Sequence, residues 1–217
     1  NEVVQGELLL YVDNGLIRGW LGNLIHHFMA QHPKLRITLR SYLSHDTDDW
    51  RDAIVLWMGE LPSHPLRQEC LTLLGQGLYG NRDYFARHGE PQSPQELGKH
   101  QWVDLLDTAR QPLQLHRADG TCVEVELPEM RLSADQLVLQ ADAISAGRGI
   151  GLMPHWQAHI RINAHPGSFQ RCLPDWEAPA LPVWLAYPHG KLLRKHRAFI
   201  NYLRENLPES WQAPLPQ

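Results

Sequence analysis

The chain has 217 residues, 43% of them hydrophobic and 20% charged, with a formal net charge of −4. That length admits one or two α/β domains with a proper core, and no run approaches the roughly 18 apolar residues of a membrane span. The acidic balance excludes a surface built to grip phosphate backbones unaided.

Cys70, Cys122 and Cys172 are odd in number, widely spaced and outside any Cys-x-x-Cys pattern, so they read as reduced thiols of a cytoplasmic protein. No export signal is visible, and a chain opening at Asn1 is expected to be part of a longer polypeptide.

In chain order, residues 7–12 form a mostly apolar run, as expected of a parallel strand covered on both faces. Asp13-Asn14-Gly15 makes a turn. Ile17, Trp20, Leu21, Leu24, Ile25, Phe28 and Met29 then recur at the spacing of one helical face, and Pro33 marks the end of that helix. Its other side carries Gly19, Gly22, Asn23 and His26, small or modest groups suited to a subunit contact. Residues 35–42 alternate apolar and polar, a half-exposed strand near a sheet edge. Residues 46–52 predict a short acidic helix, and residues 53–58 a buried strand closed by Gly59. The β-α-β-α-β order predicts a parallel sheet with right-handed crossovers.

Residues 71–80 carry the most information. An apolar run of strand length holds Gly75, Gly77 and Gly80, which normally weaken a strand but tolerate backbone angles that other residues do not. The expectation is a strand that begins in one lobe and ends in another, with a cleft beside it. The lobes would comprise residues 1–76 with 182–217, and residues 77–181.

The second βα series opens with a helix over residues 82–88, followed by a second helix start at Ser93-Pro94-Gln95-Glu96. Trp102 begins a strand, and residues 113–116 with 123–127 predict a hairpin around Asp119-Gly120. After a short strand at 130–132, Ser133 and Gln136 have the spacing of a capping box for a helix running to Ala146. A strand at 150–153, a helix opened by Pro154, a strand at 181–187 and an amphipathic helix through Leu192, His196, Phe199, Ile200 and Leu203 complete the chain.

No catalytic machinery stands out. Gly147-Arg148-Gly149-Ile150-Gly151 has the wrong spacing for a dinucleotide loop and follows a helix rather than a strand, so helix termination and close packing explain it better. Thirteen histidines raise the question of metal, yet His26 and His27 diverge on a helix, and His155 and His159 have no clear third ligand. There is no Gly-x-Ser-x-Gly nucleophile turn. The expectation is therefore no enzyme, no metal and no cofactor.

What remains is a set of loops at the carboxyl ends of parallel strands, where open α/β sheets bind ligands. Asp13, Asn14, Gly15, Ser41, Tyr42, Met58 and Glu60 come from the first lobe, and Ser133, Ala134 and Asp135 from the second. Helix starts near Leu16 and Ala134 would aim free N–H groups at a ligand, but each is accompanied by an aspartate that either caps its own helix or faces the ligand. In the second case a carboxylate ligand is disfavoured against a hydroxylated or cationic one.

Several segments resemble the regulatory domains of LysR-type transcriptional regulators. Tyr79-Gly80-Asn81-Arg82-Asp83-Tyr84-Phe85 through Ser93-Pro94-Gln95-Glu96-Leu97 and His100 is similar to that family's crossover segment. Gly147 to Trp156, Phe28-Met29-Ala30-Gln31-His32-Pro33-Lys34-Leu35, Asp52-Ala53-Ile54, Leu173-Pro174-Asp175-Trp176 and Arg197 to Leu203 extend the likeness over nearly the whole chain.

The resemblance implies an α/β fold of two Rossmann-like, periplasmic-binding-protein-like subdomains joined by two crossover strands, with a small-molecule inducer held between them. It implies a homodimer through the regulatory domains, a tetramer at full length, and DNA read only by a winged helix-turn-helix preceding this segment. Asp13, Asn14 and Gly15 match the family's first effector loop, where Ser or Thr is more usual, and Ser133 and Asp135 match the second. A free-standing solute-binding protein of periplasmic type is the alternative with the same architecture.

Overall fold

The computed structural model describes residues 3–105, 112–128 and 130–211. Strand β1 (Gly6–Val12) leads into a short helix α1 (Asn14–Leu16), a kinked turn and helix α2 (Gly22–Gln31). Strands β2 (Leu35–Arg40), β3 (Ile54–Met58) and β4 (Arg67–Gly80) follow, then helix α3 (Arg82–His88) and strand β5 (Trp102–Leu105). After β6 (Leu113–His116), β7 (Cys122–Val125) and β8 (Met130–Ala134) come α4 (Leu137–Ser145), β9 (Gly151–Pro154) and α5 (His155–Ala164). Strands β10 (Gln170–Cys172) and β11 (Ala178–Tyr187) and helix α6 (Arg194–Glu205) complete the order. The chain divides into two compact units, one built from residues up to Leu73 and from Pro182 onward, the other from Leu74–Leu181. Strands β4 and β11 each begin in one unit and end in the other.

In the first unit β1 is the central strand, paired in parallel with β2 (Leu8↔Ile37) and with β3 (Tyr11↔Val55). Strand β11 adds to β3 antiparallel, Trp184 opposite Trp57. Leu8, Leu10, Tyr11 and Val12 are buried, as a strand covered on both faces requires. Strand β2 buries only Leu35 and ends at Arg40, so Ser41 and Tyr42 lie in the loop beyond it rather than in the strand expected over residues 35–42.

The helix expected from Ile17 onward is broken. Residues Ile17–Leu21 form a wide turn in which Arg18 is extended (ψ 134°) and Gly19 takes φ 85°, a left-handed angle that glycine adopts at little cost. The break turns Trp20 inward, where its Nε1 donates to the carbonyl of Asn206 at 2.8 Å. Helix α2 then packs Phe28 edge-on against Phe199 of α6, centroids 5.2 Å apart, a contact worth about 1 kcal/mol beyond its buried area. His196 of α6 donates through Nε2 to the carbonyl of Asp52 at 2.8 Å, and burial holds its pKa below the ordinary histidine value.

In the second unit β5 and β8 pair in parallel, and Trp102 bridges in parallel to Ile150 just before β9. Strands β9 and β10 flank β4 antiparallel, with Gly77 opposite Met153 and Leu78 opposite Cys172. Strand β10 has no counterpart among the elements read from the sequence, because three residues carry no periodicity. The β6–β7 hairpin turns where expected: Gly120 takes φ 87° and Thr121 N donates to Asp119 Oδ1 at 2.9 Å.

The capping box expected at Ser133 fails. Ser133 is spent in β8, paired opposite Asp104, and α4 starts at Leu137 with Gln136 as a cap that makes no side-chain capping bond. The helix start expected at Ser93 is present, with Ser93 as N-cap and Pro94 as the first helical residue, but Ser93 makes no side-chain capping bond, and Glu96 accepts from Gln92 N at 2.8 Å.

The far end of α4 explains the glycine-rich run. Gly147 N donates to Ile144 O at 3.0 Å and Arg148 N to Ala143 O at 3.1 Å, the bond pair of a Schellman stop, with Gly147 at φ 71°.

The glycines of β4 differ from the expectation. None of Gly75, Gly77 and Gly80 has positive φ, so they do not supply unusual backbone angles. They supply room. A Cβ on Gly77 would lie 2.5 Å from His155 Cε1 and 3.2 Å from Arg171 Nε, and one on Gly80 would lie 2.4 Å from Phe85 Cζ. Gly77→Ala is expected to destabilise the second unit by about 1–3 kcal/mol through overpacking. In a His155→Ala background the same change should cost little, a non-additivity that thermal unfolding of the four-variant cycle will read.

Candidate functional site

The first-unit loops start at Asp13, at the carboxyl end of β1. Its Oδ1 accepts from Gly15 N at 2.9 Å and its Oδ2 from Met58 N at 3.3 Å. Asp13 thus caps α1 and ties the end of β1 to the end of β3. Burial pushes its carboxyl up to about 6, against the lowering effect of those two N–H groups. Gly15 and Met58 are buried and Asn14 is half-buried. Ser41, Tyr42 and Glu60 are exposed, and the Tyr42 hydroxyl accepts from Arg40 Nη1 at 2.8 Å. Gly59 turns the chain at φ 85° and donates to Pro182 O at 2.8 Å.

In the second unit Ser133 and Asp135 are exposed and Ala134 is buried, at the carboxyl end of β8. Asp104, on the neighbouring β5, is only 6% exposed and lies in register with Ser133. Sequence reasoning did not single it out; an ionisable residue inside an apolar strand was the available signal.

A polar network in the same unit was also missed. Tyr79 Oη and His155 Nδ1 share a hydrogen bond of 2.5 Å, and His155 Nε2 meets Glu177 Oε2 at 2.7 Å. Arg171 forms an ion pair with Glu177 and donates to Trp176 O at 3.3 Å. With Nε2–H donating to the carboxylate, Nδ1 accepts from the Tyr79 hydroxyl. Burial raises the Tyr79 phenol to about 12. Burial also pulls Glu177 upward, but His155 and Arg171 outweigh it and hold the carboxyl below its usual value. The network binds β4 to α5, β10 and the approach to β11.

A counterpart in the first unit binds β4 to α6 and β11. Arg204 donates to both carboxylate oxygens of Glu69, at 3.0 and 2.9 Å, and Tyr187 Oη donates to Glu69 Oε2 at 3.2 Å.

His155 is therefore engaged by a tyrosine and a carboxylate, and among the described residues no group of three His, Cys, Asp or Glu is arranged to hold a metal ion. Cys172 is buried, its thiol pushed up to about 12 by desolvation, while Cys70 and Cys122 are exposed. No helix of the described residues is long and apolar enough to cross a membrane. A cavity of about 270 Å³ lined by Gln114, His116, Cys122, Glu124 and Pro179, among others, contains none of the predicted site residues.

The family model for the LysR substrate binding domain matches residues 1–208. The chain belongs to this LysR family. It is 36% identical over 212 residues to the iron-regulated virulence regulatory protein IrgB of Vibrio cholerae, spanning 98% of this chain and 71% of that protein. Among solved structures it resembles the regulatory domain of AphB from Vibrio vulnificus, with 26% identity, a TM-score of 0.71 and coverage of 91% of this chain and 98% of that one.

The regulatory domain of CrgA from Neisseria meningitidis matches with a TM-score of 0.78 at 22% identity, covering 94% of this chain and all of that one, a likeness of fold. This LysR domain therefore has the two-subdomain, periplasmic-binding-protein-like architecture and is the effector-binding part of a LysR-type transcriptional regulator. The relatives are transcriptional regulators rather than enzymes, and the free-standing solute-binding alternative is not favoured.

Proposed function

We propose that the residues at and just beyond the carboxyl ends of β1, β2 and β3 (Asp13, Asn14, Gly15, Ser41, Tyr42, Met58, Glu60) and of β8 (Ser133, Ala134, Asp135) take up a small-molecule effector. The supporting observation is their common location at the carboxyl ends of parallel strands within a LysR substrate-binding family member. The domain performs no reaction of its own and operates in the cytoplasm.

The ligand acts by binding two conformations with unequal affinity, which shifts their populations. Strands β4 and β11 are pinned by Glu69 and Tyr187 in the first unit and by Tyr79 and Glu177 in the second, which leaves the stretches between these anchors to accommodate the change. A DNA-binding helix-turn-helix elsewhere in the full-length regulator reads the operator. Regulatory domains pair as homodimers, with tetramers at full length, and exposed Asn23 and His26 of α2 offer one contact face.

The test is operator affinity of the full-length regulator with and without a compound that raises this domain's melting temperature. Tyr42→Ala and Ser133→Ala are expected to weaken the compound's effect at least tenfold. A full response in both variants would move the effector away from these loops.

A further inference from the structure

We infer that the effector presents a cationic group, a protonated amine or guanidinium, to the carboxylate of Asp13. This inference rests on the effector-binding role of the loops proposed above and adds the charge class of the ligand.

Asp13 spends one lone pair of each oxygen on Gly15 N and Met58 N. A carboxylate has about four acceptor positions, so capacity remains on both oxygens. No Lys, Arg or His lies against it among the described residues, so its charge is only partly offset, by two backbone dipoles. Capping α1 does not require that charge: Ser, Thr or Asn caps a helix as well without desolvating an ion. At neutral pH the group is nonetheless ionised, because burial raises its carboxyl only to about 6.

The same contacts disfavour an anion. Two backbone donors at the ends of β1 and β3, Gly15 N and Met58 N, are already taken by Asp13 and are not open to a carboxylate or phosphate ligand. Of the ten residues proposed to take up the effector, Asp13, Glu60 and Asp135 are acidic and none is Lys or Arg. A neutral hydroxyl would satisfy a lone pair of Asp13 but would not neutralise its charge, which makes a cation the better complement.

The experiment is a melting-temperature and calorimetric comparison of the 217-residue chain and its Asp13→Asn variant at pH 7.5. The probes are putrescine, agmatine, L-arginine and methylguanidine on one side, and benzoate, succinate and inorganic phosphate on the other. At least one cation is expected to stabilise the wild-type chain, with affinity at least tenfold weaker in Asp13→Asn. Circular dichroism will verify that the variant is folded. Anions that stabilise both chains while cations do not would overturn the charge assignment and leave the effector role standing. A cation that binds both chains equally would overturn the role of Asp13. Silence from every probe would overturn the inference, and a charge-unbiased metabolite screen decides the effector reading separately.

Discussion

Gly149→Ala is expected to destabilise the second unit by about 3 kcal/mol or more, a loss of roughly 6–12 °C in melting temperature for a chain of this size. Gly149 adopts φ 154°, and a Cβ there would meet Gln101 O at 2.4 Å and Gln101 C at 2.8 Å. Backbone on the receiving side has nowhere to go. Ile150 N donates to Gln101 O at 2.9 Å and Val103 N to Ile150 O at 2.9 Å, so retreat of either chain would break the ladder that joins β5 to the start of β9. Gly98→Ala is the control, since its Cβ would meet nothing within 4 Å and its φ is not positive. Thermal unfolding is expected to leave that variant unchanged or slightly more stable. A Gly149→Ala chain melting within about 1 °C of wild type would contradict the packing described.

Asp13→Asn is expected to change how stability depends on pH. The Asp13 carboxyl is raised from its ordinary 3.8 to about 6 by burial, so between these values the folded chain keeps a proton that the unfolded chain has released. Stability from this group is therefore greatest below the unfolded value and falls as pH rises through the folded one, by on the order of 3 kcal/mol in all. Asparagine keeps an oxygen for Gly15 N but turns its amide toward Met58 N, and losing that bond costs about 1 kcal/mol. The variant should then be more stable than wild type by about 1–2 kcal/mol at pH 7.5 and show no such advantage at pH 4. Urea unfolding at the two pH values checks this. A variant weaker at pH 7.5 would mean that the ionised carboxylate stabilises the free domain.

Much of the fold was legible because the relevant signals are local. The apolar run of β1 reports directly that the strand is covered, the polar residues of β2 mark it as an edge strand, and the Asp119-Gly120 turn fixes its hairpin. Elements governed by distant partners were not legible. Gly75 and Gly77 owe their identity to a histidine that follows β9 and an arginine of β10, so the bend they suggested was an ordinary strand with a side chain laid over it. The break at Gly19 was hidden because the apolar spacing continues across it while Trp20 swings inward to meet Asn206 and Trp211. Ser133 and Gln136 have capping-box spacing, but pairing of β8 with β5 claims Ser133 first. The placement of Asp13 at the carboxyl end of β1, and of Ser41 and Tyr42 beyond β2, was readable from the strand pattern. Asp104 and the Tyr79–His155–Glu177 network were not, since neither has a motif in one stretch of chain.

The most direct measurement is the melting temperature of the chain across a library of small metabolites spanning acids, amines and neutral polyols. A domain that senses a metabolite must gain stability from it, by about 2.7 kcal/mol at a hundredfold excess over the dissociation constant. At least one compound should raise the melting temperature in a saturable way, with the gain reduced by Tyr42→Ala or Ser133→Ala. A folded chain that gains nothing from any compound, or a gain untouched by both substitutions, would contradict the assignment of these loops to an effector.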